Sequence, residues 1–411
     1  MQSHLAYLFR DESTRHGGSH LTQDPNPVIA YLLDKDHVPA AYVPAAAREL
    51  ISRLNGFPKP RQNHTDGCVQ AITTRAHLCD ALHVDLKLHG TTTSMDSSEL
   101  YQVKQQFVLG AYKSLVDLTL PDPNSPDYTP TTIYQARAHI ALENPKAALA
   151  VIPHGSENVA VRAVAALARY TGATKDAEKD AALEELRDLA VEIEGEDVEG
   201  DEKDKWLVRT LAGTAFARAG EVEEALETLG AGSNTQSLEA IAVTVQVYLS
   251  IHRPDLAKKE LERAKRWAED DLLLQHIEAT INLVTGADSY SDCNSFYTEQ
   301  LANPSLSSPH LLTARGVTRL LRGEVSAARS DLEEAISQQG GNADAETLAA
   351  MTVAAGLGQT KHHEVDAEQL WSQLSSKYPT FPLVQDVKEK AALFDELVTK
   401  FEIPALAVAA A

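Results

Sequence analysis

The stretch RGEVSAARSDLEEAI, from Arg322 to Ile336, has two approximate copies earlier in the chain. They read AGEVEEALETLG from Ala219 to Gly230 and HRPDLAKKELERA from His252 to Ala264. In each copy an alanine lies five positions after the turn residue, a leucine lies four positions after that alanine, and a small residue lies three positions after the leucine. Steps of four and three place side chains on one face of a helix. The pattern therefore predicts a turn and then a helix that packs closely against its neighbour.

The same spacing defines a set of repeat positions along the chain. Glycines occur seven residues before the turn in two of the preceding helices, and NPKAALAVI contributes a further copy upstream. The predicted repeat positions are Ala148, Ile152, Gly213, Ala225, Leu229, Ala257, Leu261, Ala264, Gly316, Ala328, Leu332 and Ala335. We expect the small residues to let paired helices approach and the leucines to fill the groove between pairs.

These copies resemble the tetratricopeptide repeat, which has a period of about 34 residues. Ala225 and Ala257 are 32 residues apart, and the longer intervals between copies each leave room for one more helix pair. Thr129-Pro130 and Ser308-Pro309 are predicted to begin helices, with proline at the first helical position. The interpretation is an all-α, tetratricopeptide-like solenoid, curved or ring-like, with about eight pairs and a last helix around 384–401. The alternative is an ordinary all-α domain with accidental similarity.

The composition changes near Met95. Residues 1–94 hold nine acidic and nine basic side chains, eight of the fifteen histidines and no sustained helical period. We expect a poorly ordered leader over 1–94, either a functional segment or an upstream extension of the gene model, and a helical domain over 95–411. The first helix of that domain is predicted to begin at Glu99, capped by Asp96 or a following serine.

The charge distribution bears on the kind of partner. The net charge of −22 falls entirely on residues 95–411, because the charges of 1–94 cancel. Such an acidic surface repels phosphate backbones and anionic lipid, so it disfavours direct binding to nucleic acid or membrane and favours a neutral or basic protein. Three cysteines provide no disulfide framework and suit the cytosol. Neither a membrane-spanning run nor a secretory or mitochondrial signal is recognisable.

No motif in the sequence predicts chemistry. A phosphate-binding glycine loop, a nucleophile elbow and H-E-x-x-H are all missing. The set His64, Cys68, His77, Cys79 and His83 lacks common zinc spacing, and His362-His363 is interpreted as a polar turn. Cys293 is predicted to be a buried structural thiol. We therefore expect no catalytic, cofactor or metal site, and an enzyme is the third-ranked hypothesis.

The acidic run EIEGEDVEGDEKDK, residues 192–205, lies between two predicted helix pairs. Its glycines and like charges predict a solvated loop, and docking to a basic partner is the functional alternative.

Three stretches carry a more specific resemblance. Residues 99–120, ELYQVKQQFVLGAYKSLVDLTL, are similar to the opening of the coatomer epsilon subunit family, and 242–275 and 381–401 are similar to its middle and end. The matching residues are Glu99, Leu100, Val103, Lys104, Phe107, Gly110 and Tyr112 in the first stretch, and Pro382, Lys388, Phe394, Asp395, Leu397 and Val398 in the last. The resemblance covers about 95–403, and the acidic insertion after Ile193 departs from it.

This resemblance implies a non-enzymatic structural subunit of the cytosolic COPI vesicle coat. It also implies binding to the C-terminal domain of the alpha subunit, a role in Golgi-to-ER retrograde and intra-Golgi transport, and membrane contact only through the coat. Stacked pairs form a concave groove that can hold a partner segment. The alternative is another tetratricopeptide adaptor or co-chaperone that binds a peptide tail. Such clamps need cationic first helices, whereas TTIYQARAHIAL and EAIAVTVQVYLS hold few bases.

Overall fold

The computed structural model describes residues 97–195, 201–286, 289–357 and 361–400, and for 361–366 the backbone alone. The predicted leader and its histidines and cysteines lie outside these residues. The described chain forms seventeen helices and no strand. They are α1 Ser98–Val108, α2 Tyr112–Val116, α3 Tyr128–Ala141, α4 Pro145–Val151, α5 Val159–Gly172, α6 Asp176–Glu192, α7 Glu202–Ala219, α8 Val222–Thr228, α9 Leu238–Ser250, α10 Pro254–Ala268, α11 Leu272–Thr285, α12 Tyr290–Leu301, α13 Pro309–Leu321, α14 Val325–Gln338, α15 Ala345–Gly356, α16 Lys361–Lys377 and α17 Pro382–Lys400. In the described ranges, none of these helices is long and apolar enough to cross a membrane.

The helices from α3 to α16 form seven consecutive pairs, α3 with α4 through α15 with α16, and the two helices of each pair contact one another. The first helices of successive pairs also pack on one another from α3 to α11, and again from α13 to α15. This arrangement confirms the predicted all-α repeat fold. The described residues contain seven pairs where about eight were expected, because α1, α2 and α17 lie outside the pair pattern.

The two helices of a pair differ in burial, which explains the periodicity of the sequence. First helices inside the array, such as α9, are covered by their pair partner and by both neighbouring first helices, and α9 buries eight of its residues. Second helices bury only a stripe: in α14 the buried residues are Ala328, Asp331, Leu332 and Ala335. A single buried stripe gives a clear helical period, whereas a helix covered on several sides is apolar nearly all round.

Four of the turns inside pairs share one backbone conformation. Glu143, Gly220, His252 and Gly323 all have φ between +57° and +85°. At each turn the amide of this residue donates to the carbonyl three positions back, and the next amide donates to the carbonyl five positions back. These paired bonds satisfy carbonyls that the end of the first helix leaves open, as in the Schellman motif. The four turns therefore share one backbone conformation and one hydrogen-bond pattern.

Ser97 and Ser308 cap helices as predicted, but α1 begins at Ser98, one residue before the predicted Glu99. The Oγ of Ser97 accepts from the amide of Leu100 at 3.0 Å, and the Oγ of Ser308 accepts from the amide of Leu311 at 3.1 Å. The prediction for Thr129-Pro130 is wrong, because α3 begins at Tyr128 and Pro130 lies within its first turn. Proline is tolerated there, since the amides of the first turn have no partner within the helix.

Other predicted boundaries also need correction. His362-His363 lies within α16, which begins at Lys361, and not in a turn. The acidic run is only in part a loop, because α6 ends at Glu192 and α7 begins at Glu202. Acidic residues favour the first turn of a helix, where Glu202 and Asp204 lie near the positive end of the helix dipole.

Two second helices are shorter than the repeat pattern predicts. α4 stops after Val151 because Pro153 holds Ile152 extended, with ψ 128°. α8 stops at Thr228, followed by Gly230 at φ 67°. Gly232 therefore lies beyond the helix, with φ 80°, and not on the helical face assigned to it.

Candidate functional site

All twelve predicted repeat positions are buried. The two glycines lie where first and second helices nearly touch. A Cβ built on Gly213 would stand 2.5 Å from the Cγ of Leu229, and one built on Gly316 would stand 3.0 Å from the Cγ of Leu332. The structure thus brings each glycine against the leucine of its own pair, and the energetic importance of these contacts stays a prediction.

Sequence reasoning missed a buried carboxylate in the second helices. Asp331 is 5% exposed, and its carboxylate accepts from Arg315 at 2.9 and 2.7 Å and from Arg319 at 2.7 Å. Glu260 occupies the equivalent position of α10 and accepts from the amide of Gly232 at 3.0 Å. The available signal is an acidic residue three positions after the repeat alanine, as Asp331 follows Ala328 and Glu260 follows Ala257. It was hidden because an isolated acidic residue usually indicates a solvent-facing position.

The residue that follows α1 packs against helices of the fifth and sixth pairs. Leu109 is buried with residues of α11, α12 and α13, including Leu283, Tyr297 and Leu311. Its carbonyl accepts from the Oγ of Ser308 at 2.7 Å. This contact lies at the step where packing between the first helices α11 and α13 is weaker than at the other steps. Leu109 therefore fills the gap between the fifth and sixth pairs.

Gly110 and Lys113 extend this closing contact. A Cβ on Gly110, which has φ +73°, would meet the Cβ of His310 at 2.8 Å, so the backbone approaches α13 as closely as glycine permits. The Nζ of Lys113 donates to the carbonyl of Gln338 at the end of α14 at 2.6 Å. The segment from α1 to α2 thus joins the first pair to the fifth and sixth.

A charged and aromatic network lies behind α1. The guanidinium of Arg137 on α3 lies 4.4 Å from the ring centroid of Phe107 and donates to Glu239 on α9 at 2.6 Å. The hydroxyl of Tyr134 donates to the same carboxylate at 2.9 Å. Burial alone would raise the pKa of Glu239, but Arg137 and Tyr134 hold it below its usual value. The ion pair between Arg137 and Glu239 therefore links the first helix of the first helix pair to the first helix of the fourth.

A partly open cavity lies between α1 and the first helices. This cavity of about 130 Å³ is lined by Phe107 and Val108 of α1 and by residues of α3, α5, α7, α9 and α11. α1 and α2 lie against part of this inner surface, and the expectation that the groove holds a partner segment stays a prediction.

Exposed apolar side chains concentrate instead on the last helix. Val384 of α17 is fully buried against α15 and α16, but every residue from 391 to 400 is exposed. Five of the exposed large apolar residues are on α17: Val387, Leu393, Phe394, Leu397 and Val398, with exposures of 40 to 62%. This surface, which we call the α17 apolar face, is the candidate contact surface of the described chain.

The part of the chain that the structure describes does not bring metal-ligating side chains together. Among the described residues no group of three metal-ligating side chains is found. Cys293 is 1% exposed and its Sγ donates to the carbonyl of Ala279 at 3.5 Å. Burial raises the pKa of this thiol to about 12, so it stays protonated and suits the predicted structural role.

Comparison with known proteins gives one consistent result. The sequence profile described as the coatomer epsilon subunit matches residues 96–402. The chain is 27% identical over 308 residues to the probable coatomer subunit epsilon of Schizosaccharomyces pombe, covering 74% of this chain and 96% of that protein. It is 24% identical over 304 residues to coatomer subunit epsilon-1 of Arabidopsis thaliana, covering 74% and 97%.

The solved structures that align with this chain share little sequence identity with it. A tetratricopeptide repeat protein from Parabacteroides merdae aligns with a TM-score of 0.43 at 11% identity, covering 70% of this chain and 97% of that chain. A chain of the APC/C Cut9–Hcn1 hetero-tetramer aligns with a TM-score of 0.45 at 12% identity, covering 70% and 53%.

Proposed function

The chain belongs to the coatomer epsilon subunit family, and from this premise we propose that it is a structural subunit of the COPI coat that binds the C-terminal domain of the alpha subunit. Through that contact it would support Golgi-to-ER retrograde and intra-Golgi transport. It would work in the cytoplasm and reach Golgi membranes and vesicles only through the coat. Family membership supports its assignment as a structural component of the coat.

The observation that carries the proposal is the extent of the family match. Residues 96–402 begin just before α1 and end just after α17, so the match includes every described helix. The curated relatives are covered over 96 and 97% of their own length. No described helix is therefore left over to form a separate catalytic or binding domain.

The geometry gives little support to the alternative, a clamp for an acidic peptide tail. Such a clamp needs cationic side chains that are available in the groove. Arg137, on the first helix of the first pair, is 10% exposed and already paired with Glu239. Phe107 covers it from the other side. The cation is thus used to hold the solenoid together.

Coexpression with the alpha C-terminal domain tests the proposal. We expect a one-to-one complex by light scattering after size exclusion. Because apolar burial holds such a complex more than exposed charge does, it should persist in about 0.5 M salt, where the screening length is about 4 Å. An unrelated acidic C-terminal tail peptide is the control for clamp binding. Failure to form the complex, or its loss at modest salt, would contradict the proposal.

A further inference from the structure

The C-terminal half of α17 is an amphipathic helix whose apolar side no described residue covers. At 3.6 residues per turn, four large side chains of the α17 apolar face fall within an arc of about 140°: Leu393, Phe394, Leu397 and Val398. They are 41 to 62% exposed. The charges of this half, on Asp395, Glu396 and Lys400, lie outside that arc. A helix of this kind normally turns its apolar side to a core, so the sequence encodes a contact that the described chain does not make.

α17 extends beyond its support on the repeats. Val384 is fully buried against α15 and α16, whereas every residue from 391 to 400 is exposed. This exposed part makes fewer than three turns, and a short helix without tertiary contacts is marginal in water. Cover on the apolar side would stabilise the helix and remove apolar surface from solvent.

The segment that follows α17 is itself apolar. Residues 401–411 read FEIPALAVAAA, and from Ile403 onward no side chain carries a charge or a hydrogen-bonding group. Such a composition predicts burial, because removing apolar surface from water is favourable. Two apolar surfaces therefore follow one another directly in the chain.

Pro404 predicts that the chain changes direction between these two surfaces. Proline disfavours the helical conformation at the residue before it, here Ile403, and it has no amide to donate to the preceding turn. Residues 401–404 then form the connection, and about two to eight residues are enough to join neighbouring helices. The residues after Pro404 are thus placed to run back along α17.

The length of the segment matches the uncovered surface. Phe394 lies about 9 Å along the helix axis from the end of α17 at Lys400. Residues 405–411 span about 10 Å if they are helical and about 23 Å if they are extended. In either conformation they are long enough to reach from the end of α17 to Phe394.

The covalent connection decides between this segment and another molecule. A short linker gives a tethered segment an effective concentration in the millimolar range, so it occupies the face ahead of a separate molecule of similar chemistry. A second copy of this chain is disfavoured further, because two bodies of net charge −22 repel each other.

We propose that residues 403–411 fold back and cover the α17 apolar face. Leu406 and Val408 supply the large side chains that pack on it, and Phe394 lies at the centre of the contact. The alanines of the segment let it approach α17 closely. The segment thereby caps the last helix of the array, as terminal units of repeat proteins do. The contact lies within one chain and is independent of the proposed function.

Hydrogen exchange in the full-length chain tests the contact. The variant Leu406→Asp/Val408→Asp puts two carboxylates into the segment without changing its length. Amides of 391–400 should exchange at least about 10-fold faster in this variant than in wild type, since it loses the burial of at least one large apolar side chain. The control variant Leu406→Met/Val408→Ile keeps the segment apolar and should retain wild-type protection.

A change on α17 tests the other side of the same contact. Phe394→Asp should also raise the exchange rate of 391–400 by about 10-fold, after correction for intrinsic rates. Combining it with Leu406→Asp/Val408→Asp should add nothing further, because the contact is already lost. Val191→Asp is the matched control, since Val191 is 73% exposed on α6, and it should leave exchange in α17 unchanged. All variants should melt within a few degrees of wild type, because the contact lies outside the helix pairs.

Other results would overturn the proposal. Equal exchange of 391–400 in wild type and in Leu406→Asp/Val408→Asp would show that the segment does not cover the face. Protection that disappears on dilution from about 100 to 1 μM would assign the face to a second copy. Fast exchange in the wild-type chain that slows only when the alpha C-terminal domain is added would assign it to that subunit and leave the proposed function intact.

Discussion

Gly213 marks the tightest contact between the helices of a pair. Its position on α7 leaves 2.5 Å between a built Cβ and the Cγ of Leu229, a separation that real side chains do not tolerate without movement. Leu229 is 1% exposed and held by the turn that follows α8, so it has little room to shift. A single methyl group is therefore enough to test the packing of the pair.

Gly213→Ala should destabilise the protein by about 1–3 kcal/mol in urea unfolding, because overpacking outweighs the gain of about 1 kcal/mol in helix propensity. Gly356→Ala is the matched control. It also lies in a helix, but nothing lies within 4 Å of its built Cβ, so we expect stabilisation by about 0.5–1 kcal/mol. Equal effects at the two positions would show that the contact with Leu229 is unimportant.

His276 on α11 provides a pH-dependent test. It is 4% exposed and packs beside Phe296 and Tyr297, and burial lowers its pKa to about 3. The unfolded chain binds the proton with a pKa near 6.5, so this contribution to stability is complete above pH 6.5 and is lost as pH falls toward 3. Between pH 6.5 and 5 the loss should be about 2 kcal/mol.

His276→Gln should flatten the slope of unfolding free energy against pH in that window. His154→Gln is the control, because His154 is exposed in the loop after α4 and its replacement should leave the slope as in wild type. An unchanged slope in His276→Gln would contradict burial of a neutral imidazole.

At the scale of single residues, small and apolar positions were predictable and charged ones were not. Repeated alanine and glycine indicate close approach by their spacing alone. Asp331 was missed because its burial depends on Arg315, sixteen residues away on the paired helix, and on Arg319. Only the pairing of α13 with α14 brings these charges together.

At the scale of elements, the turns inside helix pairs show which residues favour a positive φ and which only tolerate it. Gly220 and Gly323 adopt positive φ without a Cβ clash, whereas His252 adopts φ 57° at the same place in its pair. A side chain costs about 1–2 kcal/mol in this region, and glycine loses about 0.4–1 kcal/mol more entropy on folding.

His252→Gly should therefore stabilise the protein by about 0.5–1 kcal/mol, measured by urea unfolding. Gly220→Ala is the converse variant and should destabilise by about 1 kcal/mol, since nothing but φ +85° opposes the added methyl. A loss of stability in His252→Gly would mean that the histidine side chain makes a contact worth more than the strain.

Helix existence was predictable from periodicity, and helix ends were less so. α13 begins at Pro309 as expected because Ser308 supplies a local cap. α4 and α8 end earlier than the repeat pattern predicts, because the local signals Pro153 and Gly230 outweigh that pattern. The start of α16 at Lys361 was missed because its polar residues resemble those of a turn.

At the scale of the whole molecule, closure by α1 and α2 could not be predicted from the sequence. The contacts of Leu109 with Ser308 and of Gln106 with Ser305 span 199 residues each. No repeat spacing encodes such a distance, because a solenoid is specified by contacts between neighbouring units. Family resemblance found α1 without indicating where it packs.

Stepwise truncation measures this closure. Removing 1–94 should leave the melting temperature within a few degrees, because the sequence of that segment has no sustained helical period. Removing 1–116 should lower the unfolding free energy by more than about 3 kcal/mol, since it uncovers the apolar surroundings of Leu109 and Leu115, both 1% exposed. Equal stability of the two truncated chains would show that α1 and α2 are dispensable to the solenoid.

The position of Leu109 also sets an order of events during synthesis. A ribosome adding about 5–20 residues per second needs about 10–40 seconds to extend the chain from Leu109 to Ser308, which is 199 residues further on. During that interval α1 has already been synthesised, whereas α13, against which Leu109 packs, has not. The first of the described helices to be made is therefore among the last to reach its final place, and Leu109 stays uncovered by α13 during that interval.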